Sequence, residues 1–463
     1  MRIPQLPRLG LLAFLSVVGV RANPIAPAQP ETPARTPNII LILADDLGYG
    51  DLGCYGSRGI TTPHLDRLAR EGVRFTDAYA GSPVCAPSRG VLMTGLHTGH
   101  GRIRNNSPQV GGALEPYANG AEGNRRIPLR AEDLTVATAL QKAGYATGIA
   151  GKWGLGEEGT EGVPTKHGFD EWLGYLNQNH AAYYYTDYLD ATGGRRPIPE
   201  NRDGGRNIYS NDLMADFAVD FVRRHARGPF FLYLAFTIPH ERMEVPELGD
   251  YARRDWPQDA RIYAAMVTRL DAYVGRIVAE LETLGLAGNT LIMFTSDNGP
   301  LGRPRATLLG SAGGLRGFKS SVYEGGIRVP MIARWTGRIP AGRTSAEPWS
   351  FADFFPTCAE LAGFTPPPHL DGRSILPVLT GQSETLGERA LYWEIPHERL
   401  HQAVRLGPWK AVRTGTDQPP ELYDLSSDPA ETTDIAGQHP AVVARLRSIL
   451  DTSHQPSPHW PVH

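Results

Sequence analysis

The sequence predicts an α/β fold, with a mostly parallel central sheet covered by helices and a smaller C-terminal α+β subdomain. Three observations predict it. Uninterrupted apolar runs, Asn38 to Ala44 and Leu291 to Thr295, read as strands buried on both faces. Helical patterns alternate with such runs, as a strand–helix–strand layout requires. Both runs stop at carboxylate or amide residues, Asp45-Asp46 and Asp297-Asn298, where open parallel sheets collect their chemistry.

The elements follow in chain order. Arg2 and Arg8 precede an apolar stretch from Leu9 to Val20, and small residues end it, so residues 1–22 read as a secretory signal peptide. That stretch is too short to span a bilayer. Residues 23–37 are a Pro/Ala-rich linker. The mature chain is therefore expected to be exported, periplasmic or extracellular, in a compartment that tolerates disulfides and supplies calcium. Residues 38–365 carry the main domain. Within it, Glu132 to Gly144 reads as a helix with acidic residues in its first turn. Tyr145 to Ala150 reads as a strand leading into Gly151-Lys152-Trp153-Gly154. Val267, Leu270, Val274, Val278 and Leu281 give one apolar face to a helix over Arg261 to Leu284. From residue 366 to 463, short segments separated by Pro and Gly end in a strand at Glu421 to Leu425 and a helix near Val442 to Leu450.

Composition narrows the function. Lys and Arg total 46 against 49 Asp and Glu, and the resulting net charge of −3 offers no basic footprint for nucleic acid or membrane. Three cysteines, Cys54, Cys85 and Cys358, exclude a disulfide scaffold and leave at least one thiol unpaired. Asp45 and Asp46 are adjacent carboxylates, which repel unless a cation neutralises them. The plainer reading is a loop in which one aspartate caps a helix. Asp297 and Asn298 add a third carboxylate and an amide oxygen, a hard-oxygen set suited to Ca2+, less to Mg2+, and not to zinc.

The most specific segment is Pro83-Val84-Cys85-Ala86-Pro87-Ser88-Arg89-Gly90-Val91-Leu92-Met93-Thr94-Gly95. It resembles the sulfatase signature, Cys-x-Pro-Ser-Arg followed by an apolar pair and Thr-Gly, at every position. The resemblance implies an alkaline-phosphatase-like sandwich and conversion of Cys85 to formylglycine by a maturation enzyme. One hydroxyl of the hydrated aldehyde would attack sulfur, and the second would expel sulfate. It also implies that Arg89 steadies the diol and the metal ligands, Asp45, Asp46, Asp297 and Asn298, with residue 85 itself contacting the ion. Lys152 in Gly151-Lys152-Trp153-Gly154, His240 in Thr237-Ile238-Pro239-His240, and Lys319 in Gly317-Phe318-Lys319-Ser320 match the family's sulfate-binding lysines and histidine. The chain departs from the family at one position. The second signature continues Gly-Lys-x-His, and the histidine's place is taken here by Gly154. Either a metal-bound, cation-flanked hydroxyl is acidic enough to need no dedicated base, or another residue stands in, with His97 and His100 the nearest candidates by sequence.

The segment from Gly156 to Tyr188 carries Trp172, Tyr175, Asn177, Gln178, Asn179, His180 and Tyr183-Tyr184-Tyr185, aromatic and amide groups suited to a sugar ring. The plainer reading is that these tyrosines pack a loop against the core. The whole chain resembles bacterial sulfatases of sulfated polysaccharides or glycosaminoglycans. Two alternatives are a phosphatase or phosphonate hydrolase of the same superfamily, and a non-catalytic binder of sulfated glycans degenerate at Gly154.

Overall fold

Asn38 to Ala44 form a strand in which every residue is buried, as a run without polar alternation demands. A computed structural model describes residues 1–2, 4–5, 36–107, 115–116 and 124–462. The predicted signal peptide and linker lie almost wholly outside the described residues. Residues Met1–Arg35 and Thr36–His463 are separate units, and the second carries both sheets and the site.

The main sheet takes ten strands: β1 (Asn38–Ala44), β2 (Val73–Phe75), β3 (Ala146–Lys152), β4 (Glu171–Tyr175), β5 (Tyr188–Ala191), β6 (Gly194–Pro197), β7 (Phe230–Ala235), β8 (Thr290–Ser296), β9 (Met331–Arg334) and β10 (Arg343–Ser345). Their order is β10-β2-β9-β8-β1-β7-β3-β4-β5-β6. The central run β8-β1-β7-β3-β4 is parallel, and β5, β6 and β9 run antiparallel to their neighbours. The fold is thus the expected α/β sandwich with a mostly parallel core.

Side chains alternate across β1 with a period of two. Ile40 and Ile42 face a core built with α1 (Pro63–Arg70), α4 (Ser210–Arg224) and α5 (Gln258–Thr283). Ile39, Leu41 and Leu43 face the other, built with α2 (Cys85–Thr94), α3 (Val136–Lys142) and α6 (Phe354–Ala362). The helix predicted from Glu132 starts later, at Val136. Thr135 caps it by accepting from the Thr138 amide, while Asp133 is engaged by Arg130 in the preceding loop. Its acidic residues therefore precede the helix instead of lining its first turn.

Beyond α6, Ile375, Val378 and Leu379 still belong to the core under the main sheet. A second, antiparallel sheet then forms from β11 (Ala390–Pro396), β12 (Leu400–Leu406), β13 (Trp409–Thr414) and β14 (Glu421–Asp424), with α7 (Pro440–Ser453) packed on it. It meets the main domain through an apolar seam, where Trp393, Ile395 and Val412 pack with Tyr79, Val84 and Ile327, and through a buried ion cluster. Lys410 on β13 is fully buried and bonds Glu324 at 2.8 Å and Glu431 at 2.9 Å, both also fully buried. Glu431 further accepts from the Glu324 amide.

Burial and the nearby Glu324 charge push the Glu431 carboxyl up to about 7. A carboxyl raised in the folded state takes up a proton on folding, so its contribution is largest below the unfolded value and falls as pH rises toward 7. Glu431→Gln mimics the protonated form. Relative to wild type, the variant is expected to gain on the order of 1 kcal/mol between pH 5 and pH 8, measured by urea denaturation. A constant difference across that range would refute the assignment.

Candidate active site

Four adjacent parallel strands deliver the site from their carboxyl ends. β8 ends in Asp297-Asn298, β1 in Asp45-Asp46, β7 runs on to His240, and β3 ends at Lys152. α2 begins at Cys85, so its first turn points at the same place. Lys319 arrives on a loop pinned by Ser320 N–H to the Pro83 carbonyl and Lys319 N–H to the Pro300 carbonyl. All nine site residues proposed from sequence thus meet at one end of the sheet.

The carboxylates and cations interlock. Lys152 Nζ donates to Asp45 Oδ2 at 2.7 Å, and Lys319 Nζ lies 2.7 Å from Asp46 Oδ1. Arg89 Nη2 bonds Asp297 Oδ2 at 2.7 Å and lies 3.4 Å from Asp45 Oδ2, while its Nη1 donates to the Lys152 carbonyl. Arg89 is wholly buried, one helical turn beyond Cys85 on the same face. His240 Nε2 approaches Asp46 Oδ2 at 3.6 Å and stays partly open to solvent. Cys85 Sγ sits among them, 3.2 Å from Lys319 Nζ and 3.5 Å from Asp45 Oδ1.

The charges explain the titration. Burial works against ionised Asp45, but Lys152, His240, Arg89 and Lys319 outweigh it and hold the carboxyl below its ordinary range. Asp46 is held down likewise, chiefly by Lys319 and His240 against its own burial. Asp297 moves the other way, because burial and the Asp45 charge push it up. Burial, with Asp297 adding to it, pushes the Cys85 thiol up to about 12, so unmodified Cys85 is a thiol and not a thiolate at neutral pH.

The donors fit a hard divalent cation. Asp45, Asp46 and Asp297 converge, and Asn298 Oδ1 is buried without a hydrogen-bond partner while its Nδ2 donates to Asp46 Oδ1. Single ligand atoms of Asp45, Asp46, Cys85 and His240 lie within 4.8 Å of one another. A cation would relieve the pressure on Asp297 and employ the orphaned amide oxygen.

One expectation is corrected. His97 and His100 lie past the far end of α2, on the order of 14 Å along the helix from Cys85. Asp371 engages both, through the His97 amide at 2.8 Å and His100 Nδ1 at 2.9 Å. They are not placed to replace a base at residue 154. Among the described residues Cys54 and Cys358 do not pair, and all three cysteines are free.

Gly154 also acquires a physical reason. Its φ is +75°, and a Cβ there would stand 2.0 Å from Gln178 Nε2. Gln178 is buried, and that nitrogen has no hydrogen-bond partner. Gln178, which the sequence offered only as a sugar contact, therefore fills the space a residue 154 side chain would need. Gly154→His is expected to destabilise the chain by about 1–2 kcal/mol, chiefly from the left-handed backbone, with a smaller part from displacing the Gln178 amide. Adding Gln178→Gly should recover part of that loss in urea denaturation. An equally unstable double variant would show that the clash contributes nothing.

Comparison with known proteins agrees with this geometry. A family model described as Sulfatase matches residues 37–364, and one described as N-sulphoglucosamine sulphohydrolase, C-terminal, matches residues 317–455. Arylsulfatase A of Homo sapiens is 36% identical, over 90% of this chain and 87% of its own length. N-acetylgalactosamine-6-sulfatase of Sus scrofa is 34% identical, over 96% and 88%. The crystal structure of Ps i-CgsB superposes with a TM-score of 0.78 at 31% identity, covering 93% of this chain and 95% of that one. With the signature cysteine, the acid pairs and the flanking cations gathered at one sheet end, the chain belongs to the sulfatase family and is a hydrolase of sulfuric esters.

Proposed function

We propose that this chain removes sulfate from a sulfated carbohydrate, with Cys85 converted to formylglycine and one Ca2+ held by Asp45, Asp46, Asp297 and Asn298. The observation that carries the reading is the setting of Cys85. Its Sγ is buried at a helix start, within reach of Lys319 and Asp45, yet its own thiol is held protonated. A nucleophile is wanted there, and a thiol in that state is a poor one. Formylglycine supplies a hydrated aldehyde whose hydroxyl can attack sulfur. The cation supplies Lewis acidity toward a sulfate oxygen.

The residues around it divide the work. Arg89 fixes Asp297 and Asp45, so the metal-binding oxygens keep their orientation. Lys152 and Lys319 each present an ammonium to the carboxylates and can turn it to the sulfate oxygens as charge develops. His240, partly open at the mouth, is placed to bind sulfate and to give a proton to the departing sugar oxygen. In the net reaction the sulfur–oxygen bond to the sugar breaks, the sugar leaves as an alcohol, and water supplies the oxygen that completes sulfate.

The carbohydrate reading draws support from relatives. N-acetylgalactosamine-6-sulfatase is one, and Ps i-CgsB has been solved in complex with k-i-k-neocarrahexaose. Among the described residues no helix is long and apolar enough to cross a membrane. The reading also calls for export by the signal-like start and for maturation by a formylglycine-generating enzyme.

Two experiments test this. Peptide mass spectrometry of the chain made alongside a formylglycine-generating enzyme should find residue 85 without sulfur. That preparation should release sulfate from sulfated sugars, and Cys85→Ala should not. A thiol at residue 85 in fully active protein would overturn the mechanism. Dialysis against a calcium-selective chelator should abolish sulfate release, and added Ca2+ should restore it better than Mg2+. Full activity after chelation would remove the metal from the reading.

A further inference from the structure

Large apolar side chains rarely stay open to water, and Tyr183 is the one aromatic among the exposed large hydrophobic residues described, at 45% exposure. Its ring is not bare. The Arg242 guanidinium carbon lies 3.6 Å from the ring centroid. Among the described residues no carboxylate pairs with Arg242, although its neighbours are paired: Glu241 with Arg303 at 2.9 Å, and Glu244 with Arg206 at 2.8 Å.

The pair sits beside the reaction centre. Tyr184, the next residue after Tyr183, donates its hydroxyl to the His240 carbonyl at 2.6 Å and to the Thr237 carbonyl at 3.1 Å. Arg242 follows His240 by two residues, so their Cα atoms are at most about 7.6 Å apart. His240 in turn faces Asp46. The cation is therefore held near the pocket by the loop that supplies its histidine, and the ring by the segment whose next residue, Tyr184, bonds that loop.

We propose that Tyr183 and Arg242 form a subsite for an anionic sugar residue adjoining the one that loses sulfate. The inference rests on the carbohydrate reading above and narrows it to oligosaccharides with a second negative group, sulfate or carboxylate. Stacking fixes the guanidinium plane and leaves its edge donors free, the arrangement that binds a planar or tetrahedral oxyanion in bidentate fashion. The exposed part of the ring offers the neighbouring sugar an apolar platform.

The test uses the Cys85→Ala chain, which has no nucleophile at residue 85, and calorimetry with three probes. These are N-acetylgalactosamine 6-sulfate, a chondroitin 6-sulfate tetrasaccharide with uronate neighbours, and an iota-carrageenan tetrasaccharide with sulfated neighbours. Adding Arg242→Ala should lower the affinity ratio of tetrasaccharide to monosaccharide about tenfold for at least one tetrasaccharide. Whichever one responds identifies the anion. Tyr183→Ala should lower the same ratio, and Arg242→Lys should recover only part of it. An unchanged ratio for both tetrasaccharides, in a variant that melts with wild type, would overturn the proposal. Failure of the sulfatase reading shows separately, as absence of sulfate release by the matured wild-type chain.

Discussion

Three buried carboxylates, Asp45, Asp46 and Asp297, share one small volume at the ends of neighbouring strands, and the rest of the site exists to make that tolerable. Two unit charges 4 Å apart interact by about 4 kcal/mol at the effective dielectric of a protein surface, and more where water is absent. No chain of marginal stability keeps such repulsion uncompensated. Arg89, Lys152 and Lys319 each bond one of the three, giving a charge count that closes without help from solvent. Because these six charges cancel, the divalent cation proposed for the site would supply the positive excess that draws in a sulfate.

That constraint reaches into the backbone. Asp46 adopts a left-handed φ of +64°, which turns the chain so that its amide meets Asp297 Oδ1 and the Leu47 amide meets Ser296 Oγ. The strain is held by a sheet whose central strands are buried on both faces. It also explains the C-terminal sheet. Glu324 lies five residues beyond Lys319, and its carboxylate is bound to Lys410 of that sheet. Glu324 is held well ionised, at about 2: burial opposes this, and Lys410, Arg328 and Arg405 overcome it. The second sheet is thus a clamp on the loop that carries Lys319, which makes it part of the site's rigidity.

Much of this was legible in the sequence, and the reason is local continuity. A buried parallel strand announces itself by an unbroken apolar run, and its end marks where chemistry collects, so Asp45, Asp46, Asp297 and Asn298 could be read directly. Cys85 and Arg89 share one helical turn. Lys152, His240 and Lys319 were visible only through short motifs in order, because nothing in an isolated lysine reveals that it will be buried. What escaped depends on contacts between segments distant in sequence. Gln178 filling the space over Gly154 is such a contact, as is Asp371 drawing His97 and His100 away. Proximity in sequence suggested those histidines as bases, but the 10 residues of α2 carried them to the opposite end. The Glu324–Lys410–Glu431 anchor joins residues far apart along the chain, and no periodicity could foretell it.

The state of Cys85 follows from competition between these same effects. A cysteine at a helix start, beside two lysines and an arginine, is in the setting that ordinarily lowers a thiol's pKa. Here burial, Asp297 and Asp45 outweigh Lys152 and Lys319, and the thiol stays protonated. Lys319 reaches the sulfur at 3.2 Å, but it and the other two cations each also bond a carboxylate at 2.7 Å, so their charge is shared. A site meant to run on a thiolate would spare at least one cation for it. This one spends most of its positive charge on gathering oxygen ligands around residue 85, an arrangement that serves a neutral oxygen nucleophile and leaves burial and the nearby carboxylates to keep the sulfur protonated.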